Sequence, residues 1–157
     1  MAKVPAPERV CARAGQAADA MIGHAGSQIA DSDPANIECV LQRSGVRVDA
    51  IAQAATQAWT EYDTTVVHQV QAFAGTARGR GQMPQDVTIR GAQAVWIPAE
   101  SELVATNGTQ STAGSYVTVS VTGRPPGGRG KLALAQSVAA AVLAVAPKGP
   151  NPGPPPS

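Results

Sequence analysis

Residues 36–53 read NIECVLQRSGVRVDAIAQ, and their pattern decides the fold. Ile37, Cys39 and Leu41 alternate with Glu38 and Gln42, the period-two signature of a strand with one buried face. Ser44-Gly45 supplies a tight turn, and Val46, Val48 and Ala50 continue the alternation on a paired strand. The stretch is a β-hairpin whose Cys39 points the same way as its apolar neighbours. The only other cysteine of the chain, Cys11, lies upstream in a pattern of a different period.

That upstream pattern is helical. Between Pro7 and Gly23, the residues Val10, Ala14, Ala17 and Met21 recur at helical spacing, with a proline in the first turn and a glycine as the stop. Residues 24–36, HAGSQIADSDPAN, read as a loop. Beyond the hairpin, Ala55, Trp59, Tyr62, Val66, Val70 and Phe73 form one continuous helical stripe ended by Gly75. A basic, glycine-rich loop, GTARGRGQMPQ, separates that helix from three further strands, Val87–Ile97, Glu102–Thr106 and Ser115–Thr122. Asn107-Gly108 opens a polar loop between the last two. After GRPPGGRG comes a final helix, Lys131–Ala146, with Leu132, Ala135, Val138, Ala139, Val142 and Leu143 as its buried stripe and Pro147 as its end.

The order of elements is α-ββ-α-βββ-α. Helical stripes need an apolar surface, and a five-stranded, mostly antiparallel sheet supplies it, so the predicted class is α+β with helices packed on the sheet. One domain spans residues 7–146, preceded by a short extension over residues 1–6. Residues 147–157 form a Pro/Gly-rich tail that cannot build a core.

The chain has 157 residues, enough for one domain with a substantial core. Hydrophobic residues make up 43%, but only five are aromatic, so the core must be built from Val, Ile, Leu and Ala. The formal charge is +1 with 15% charged residues, which leaves no global field to recruit nucleic acid or an acidic membrane. No apolar run reaches the roughly 18 residues that a membrane span needs. The opening MAKVPAPERV lacks the apolar stretch of a signal peptide, so the chain is either cytoplasmic or the mature part of an exported protein.

The two cysteines narrow that choice. They are too few for a zinc site, no histidine stands at ligand spacing to either, and they do not form a C-x-x-C redox pair. Two readings remain. In one, both sit reduced as small hydrophobes in a cytoplasmic core; in the other, Cys11 and Cys39 bridge the first helix to the first strand, which implies an oxidising compartment. The bridge is the preferred reading, because it would add roughly 3–4 kcal/mol to a chain whose alanine-rich helices bury little area per residue.

An early helical cysteine, a second cysteine in a strand and an aromatic-bearing amphipathic helix are followed by VTIRGAQAVWIPAESELVATN, YVTVSVTG and KLALAQSVAAAVL. This succession resembles a family of actinobacterial cell-envelope lipoproteins of unknown function. Gly91, Ala94, Trp96, Leu103, Val117, Val119 and Val121 stand where the family's loose strand features would fall. The resemblance covers residues 8–146 and departs at the front, where neither lipobox cysteine nor signal peptide is present. It implies an α/β sandwich similar to PsbP-like domains and an extracytoplasmic, non-catalytic role, with any membrane association made through a lipid anchor outside this chain.

Few residues invite chemistry. PPGGRGKL (125–132) resembles a phosphate-binding loop but has Pro125 at the first glycine position and Leu132 in place of the magnesium-binding hydroxyl. Arg129 and Lys131 at this helix entry remain candidates for anion binding. Arg78 and Arg80 have no interleaved aromatic and do not make a nucleic-acid surface. His24 falls in a loop and His68 faces away from the apolar stripe of its helix, so neither has a recognisable catalytic partner. Asp31/Asp33 and Glu100/Glu102 are explained by solvation or capping. Asn107-Gly108-Thr109 is a turn before it is a glycosylation acceptor. Trp59, Tyr62 and Trp96 are core residues or, with the small Ala55, Ala58, Ala92 and Ala94 beside them, the lining of an apolar pocket between helix and sheet. No metal or cofactor is expected. The leading expectation is a non-catalytic extracytoplasmic binding module with a protein or apolar small-molecule partner. The alternatives are a cytoplasmic accessory or scaffold protein with reduced cysteines, and a small enzyme using a histidine that the sequence does not place.

Overall fold

A computed structural model describes residues 7–22, 26–33, 36–43, 45–55, 58–73, 84–89, 91–98, 100–109, 114–123 and 130–145. The extension over residues 1–6, the tail over residues 147–157, His24, Gly75, Arg78, Arg80 and Arg129 lie outside the described residues. The fold is α+β. Its elements run α1 (Pro7–Ile22), β1 (Gly26–Asp33), β2 (Asn36–Arg43), β3 (Val46–Ala55), α2 (Ala58–Phe73), β4 (Gln85–Ile89), β5 (Ala92–Ile97), β6 (Glu102–Thr106), β7 (Gly114–Gly123) and α3 (Lys131–Val145).

All seven strands join one antiparallel sheet in the order β1-β2-β3-β7-β6-β5-β4. Two meanders, β1–β3 and β4–β7, therefore meet at the central β3–β7 pair. The hairpin read from residues 36–53 is present, with Cys39 opposite Ala50 and Leu41 opposite Val48.

The sheet corrects the expected five strands in two places. Residues 26–33, read as part of a loop, form β1 and pair with β2 through a register shift between Ile29 and Asp31. This segment carries one large apolar side chain, Ile29, and no sustained alternation, because an edge strand gains its pairing from its neighbour more than from its own burial. The run Val87–Ile97, read as one strand, is two strands folded back with Ile89 opposite Ala92. Gly91 makes that reversal at φ 76°, a conformation open to glycine. Ala55, assigned to a helical stripe, is the last residue of β3 and pairs with Gly114. Its register with β7 outweighs its helical propensity.

The faces of the sheet are unequal. Even-numbered and odd-numbered positions separate as the pleat requires. Ile37, Cys39 and Leu41, then Val48 and Ala50, Val117, Val119 and Val121, Leu103 and Trp96 enter a core closed by α1 and α3. On α1 the buried residues are Val10, Cys11, Ala14, Gly15, Ala18 and Ile22, with Ala17 and Met21 partly buried. On α3 they are Leu134, Ala135, Val138, Ala139, Val142 and Leu143, with Leu132 partly buried. The alanines on both helices let α1 and α3 lie against each other while both reach the sheet. Among the described residues, α2 is the one helix on the opposite face. Seven strands span about 29 Å, whereas one helix covers roughly 10 Å, so α2 lies mainly over β7, β6 and β3 and reaches β5 through Tyr62.

Candidate functional site

Cys11 of α1 and Cys39 of β2 form a disulfide, with their Cα atoms 5.4 Å apart. Both are almost fully buried. The helical period turns Cys11 toward the sheet beside Val10 and Ala14, and strand alternation turns Cys39 up toward α1 between Ile37 and Leu41. The staple follows from two periodicities meeting on one face.

The structure separates the three aromatic pocket candidates. Tyr62 of α2 packs on Val95, Ile97 and Val104, flanked by Val66 and Tyr116. Trp96, one position along β5 from Val95, belongs to the core beneath α1 and α3. Trp96 is therefore on the other side of the sheet from Tyr62, and the two do not line a common cavity. Val95 and Ile97, rather than Trp96, are the strand residues that meet α2. Trp59 is half-buried in the first turn of α2. Burial, with Asp86 and Asp63 adding repulsion, pushes the Tyr62 phenol up to about 12.

Beside α2, the same sheet face carries a polar ladder, in which Glu102, assigned from sequence to solvation or capping, is instead half-buried. Ser120 donates to Glu102 Oε2 at 3.0 Å, and the Tyr116 hydroxyl lies 2.9 Å from Thr65 Oγ1. Burial raises the Glu102 carboxyl above the usual carboxylate range, opposed by the Ser120 hydrogen bond and reinforced by Glu100. Burial also raises the Tyr116 phenol, partly offset by Thr65 and reinforced by Glu102, Glu61 and Glu100. Alternation along Glu102–Thr106 and Gly114–Gly123 carried the signal for this ladder, because the residues between the valines of β7 must share the opposite face.

Of the two anion-binding candidates, Lys131 donates to Ser101 Oγ at 3.4 Å, and Arg129 is outside the described residues. Ser101 has a φ of 49°, and its carbonyl accepts from Val121 N at 3.0 Å. Lys131 thereby joins the start of α3 to the β5–β6 turn. His68 is exposed on α2, as its place off the apolar stripe predicts. Asn107 Oδ1 accepts from Ser115 N at 2.8 Å, and Thr106 Oγ1 donates to the Ser115 carbonyl at 2.9 Å and accepts from Gly108 N at 3.1 Å. Asn107-Gly108 is thus a structural turn tied to the start of β7. Among the described residues, no three His, Cys, Asp or Glu side chains gather as a metal ion would require. No described helix is long and apolar enough to cross a membrane.

Compared with known proteins, the chain matches no family model, no curated protein and no solved structure.

Proposed function

We propose that this chain is a non-catalytic binding or interaction module that works outside the cytoplasmic membrane, similar to the soluble domain of an actinobacterial envelope lipoprotein. The observation that carries this reading is the buried Cys11–Cys39 disulfide. Such bonds form and persist in oxidising compartments and are rare where glutathione or thioredoxin keeps thiols reduced. The position of this one supports a structural role, because it ties the first helix to the sheet and is closed to solvent. A redox catalyst would need an accessible sulfur.

The uneven covering of the sheet supports a binding role. Among the described residues, two helices lie on one face and α2 on the other, with half-buried Trp59 and the polar strand residues Glu102, Thr118 and Ser120 on the α2 side. An apolar partner on this side would contact Trp59 and the margin of α2, without Trp96.

Cell fractionation with an antibody to the native chain tests the proposal. Recovery from the envelope or the culture medium is the expected result. Recovery from the cytosol would overturn it in favour of an intracellular accessory protein.

A further inference from the structure

The chain has asparagine at positions 36, 107 and 151, and Asn107 is the one followed by glycine. That dipeptide carries chemistry of its own. The backbone nitrogen of the second residue can attack the side-chain amide carbon of the first, and glycine offers no side chain to obstruct the approach. Here the new bond would join Gly108 N to Asn107 Cγ. The Cγ–Nδ2 bond breaks, and the amide leaves as ammonia with the proton from Gly108 N. Water then opens the cyclic imide at either carbonyl. One opening yields aspartate; the other yields isoaspartate, whose main chain is one atom longer.

The fold treats the two reacting groups differently. Ser115 N donates to Asn107 Oδ1 at 2.8 Å, which polarises the side-chain carbonyl as an oxyanion-hole donor does. The electrophile is therefore activated, and the restraint falls on the nucleophile. Gly108 is buried, and its N–H is donated to Thr106 Oγ1 at 3.1 Å. Thr106 donates its own hydroxyl proton to the Ser115 carbonyl at 2.9 Å, which leaves a lone pair for Gly108. A neutral hydroxyl is too weak a base to remove an amide proton, so Thr106 holds the N–H without activating it.

Packing adds a second restraint. A Cβ built on Gly114 would lie 2.4 Å from Asn107 Oδ1 and 2.5 Å from Gly108 N, so backbone already fills the space beside both groups. Thr106 and Ser115 are also the two buried polar residues among the described ones, and both have hydrogen bonds in this turn.

We propose that Asn107 is a latent self-modification site: the closed turn suppresses imide formation, and local opening of the turn commits Asn107 to deamidation. The two products differ in what they allow afterwards. Aspartate keeps an oxygen for Ser115 N. Isoaspartate carries an extra backbone atom, which displaces Gly108 N from Thr106 Oγ1 and leaves a buried N–H without its acceptor. A chain that has opened and formed isoaspartate is thus marked irreversibly between β6 and β7.

Timed incubation of the full chain in native buffer and in denaturant, at one slightly alkaline pH, tests the proposal when positions 107 and 108 are mapped by mass spectrometry. Deamidation at Asn107 should be about tenfold or more slower in the folded chain, because only the opened fraction reacts. Thr106→Val removes the acceptor of the Gly108 N–H and should raise the folded-state rate about tenfold. Thr106→Ser keeps the hydroxyl and should keep the slow rate. Hydrogen exchange of the β3 amides, protected in all three chains, shows that each rate belongs to a folded sheet. The comparison of folded with denatured parent needs no variant. Equal rates in folded and denatured parent, a folded T106V no faster than the parent, or a T106S as fast as T106V would each overturn the proposal.

Discussion

Gly114 has no room for a side chain. A Cβ there would lie 2.4 Å from Asn107 Oδ1 and 2.5 Å from Gly108 N, inside the turn that starts β7. Because Asn107 Oδ1 is already fixed by Ser115 N, it cannot yield without losing that bond. Gly114→Ala should therefore cost roughly 2–3 kcal/mol in denaturant unfolding, whereas an unchanged midpoint would show that the turn can open. Glu102 makes a prediction of a different sort. Its carboxyl is raised above the ordinary range, chiefly by burial, so the folded chain holds that proton to higher pH than the unfolded chain does. Between the unfolded and folded values the native state binds more protons, and stability falls as pH rises. Glu102→Gln removes this loss and retains an acceptor for Ser120. The stability of the variant relative to the parent should grow as pH rises through the carboxylate range, as read by thermal unfolding at several pH values. A difference that shrinks with rising pH would mean that the carboxylate is stabilised by its site.

Elements were legible where burial imposes a period. The β2–β3 hairpin, β7 and α3 could be read from sequence because each buries a defined face, and β7 alternates valines with Thr and Ser over most of its length. β1 was hidden because one buried strand suffices to pair an edge, and GSQIADSD carries no stripe of its own. The β4–β5 reversal was hidden because apolar residues recur on both sides of it, at Val87 and Ile89 and again at Ala92, Ala94 and Trp96, with only Gly91 to mark the fold-back. The candidate site was less legible than the fold. Trp96 differs from Val95 by a single position, and strand alternation sends it to the opposite layer, a consequence that follows only once the ends of β5 are known. Within α3, Leu134 is fully buried against the sheet and α1. Leu134→Ala should cost about 2–5 kcal/mol, measured by chemical denaturation, and a cost near zero would mean that α3 is loosely docked.

At the scale of the molecule, two layers of helices hold one sheet, and the first of those helices is tied down covalently. α1 packs on β1 and β2, toward the outer edge of the sheet, and on α3. Its buried face is small, with Ala14, Gly15 and Ala18 supplying three of its six buried positions. A cross-link between Cys11 and Cys39 compensates for that limited area by restricting the unfolded chain. The double variant C11A/C39A should lose about 3–4 kcal/mol of stability while keeping the same sheet. An unchanged unfolding midpoint would show that α1 docks without the bond. The covalent tie is also what links structure to compartment, because a reducing cytosol would leave both thiols free. The most direct measurement is therefore mass spectrometry of the chain isolated from its own cells, denatured and alkylated without reductant. A chain carrying no alkyl groups, and gaining two after reduction, is the expected result. A chain that takes up two alkyl groups before reduction would contradict the disulfide-tied, exported module.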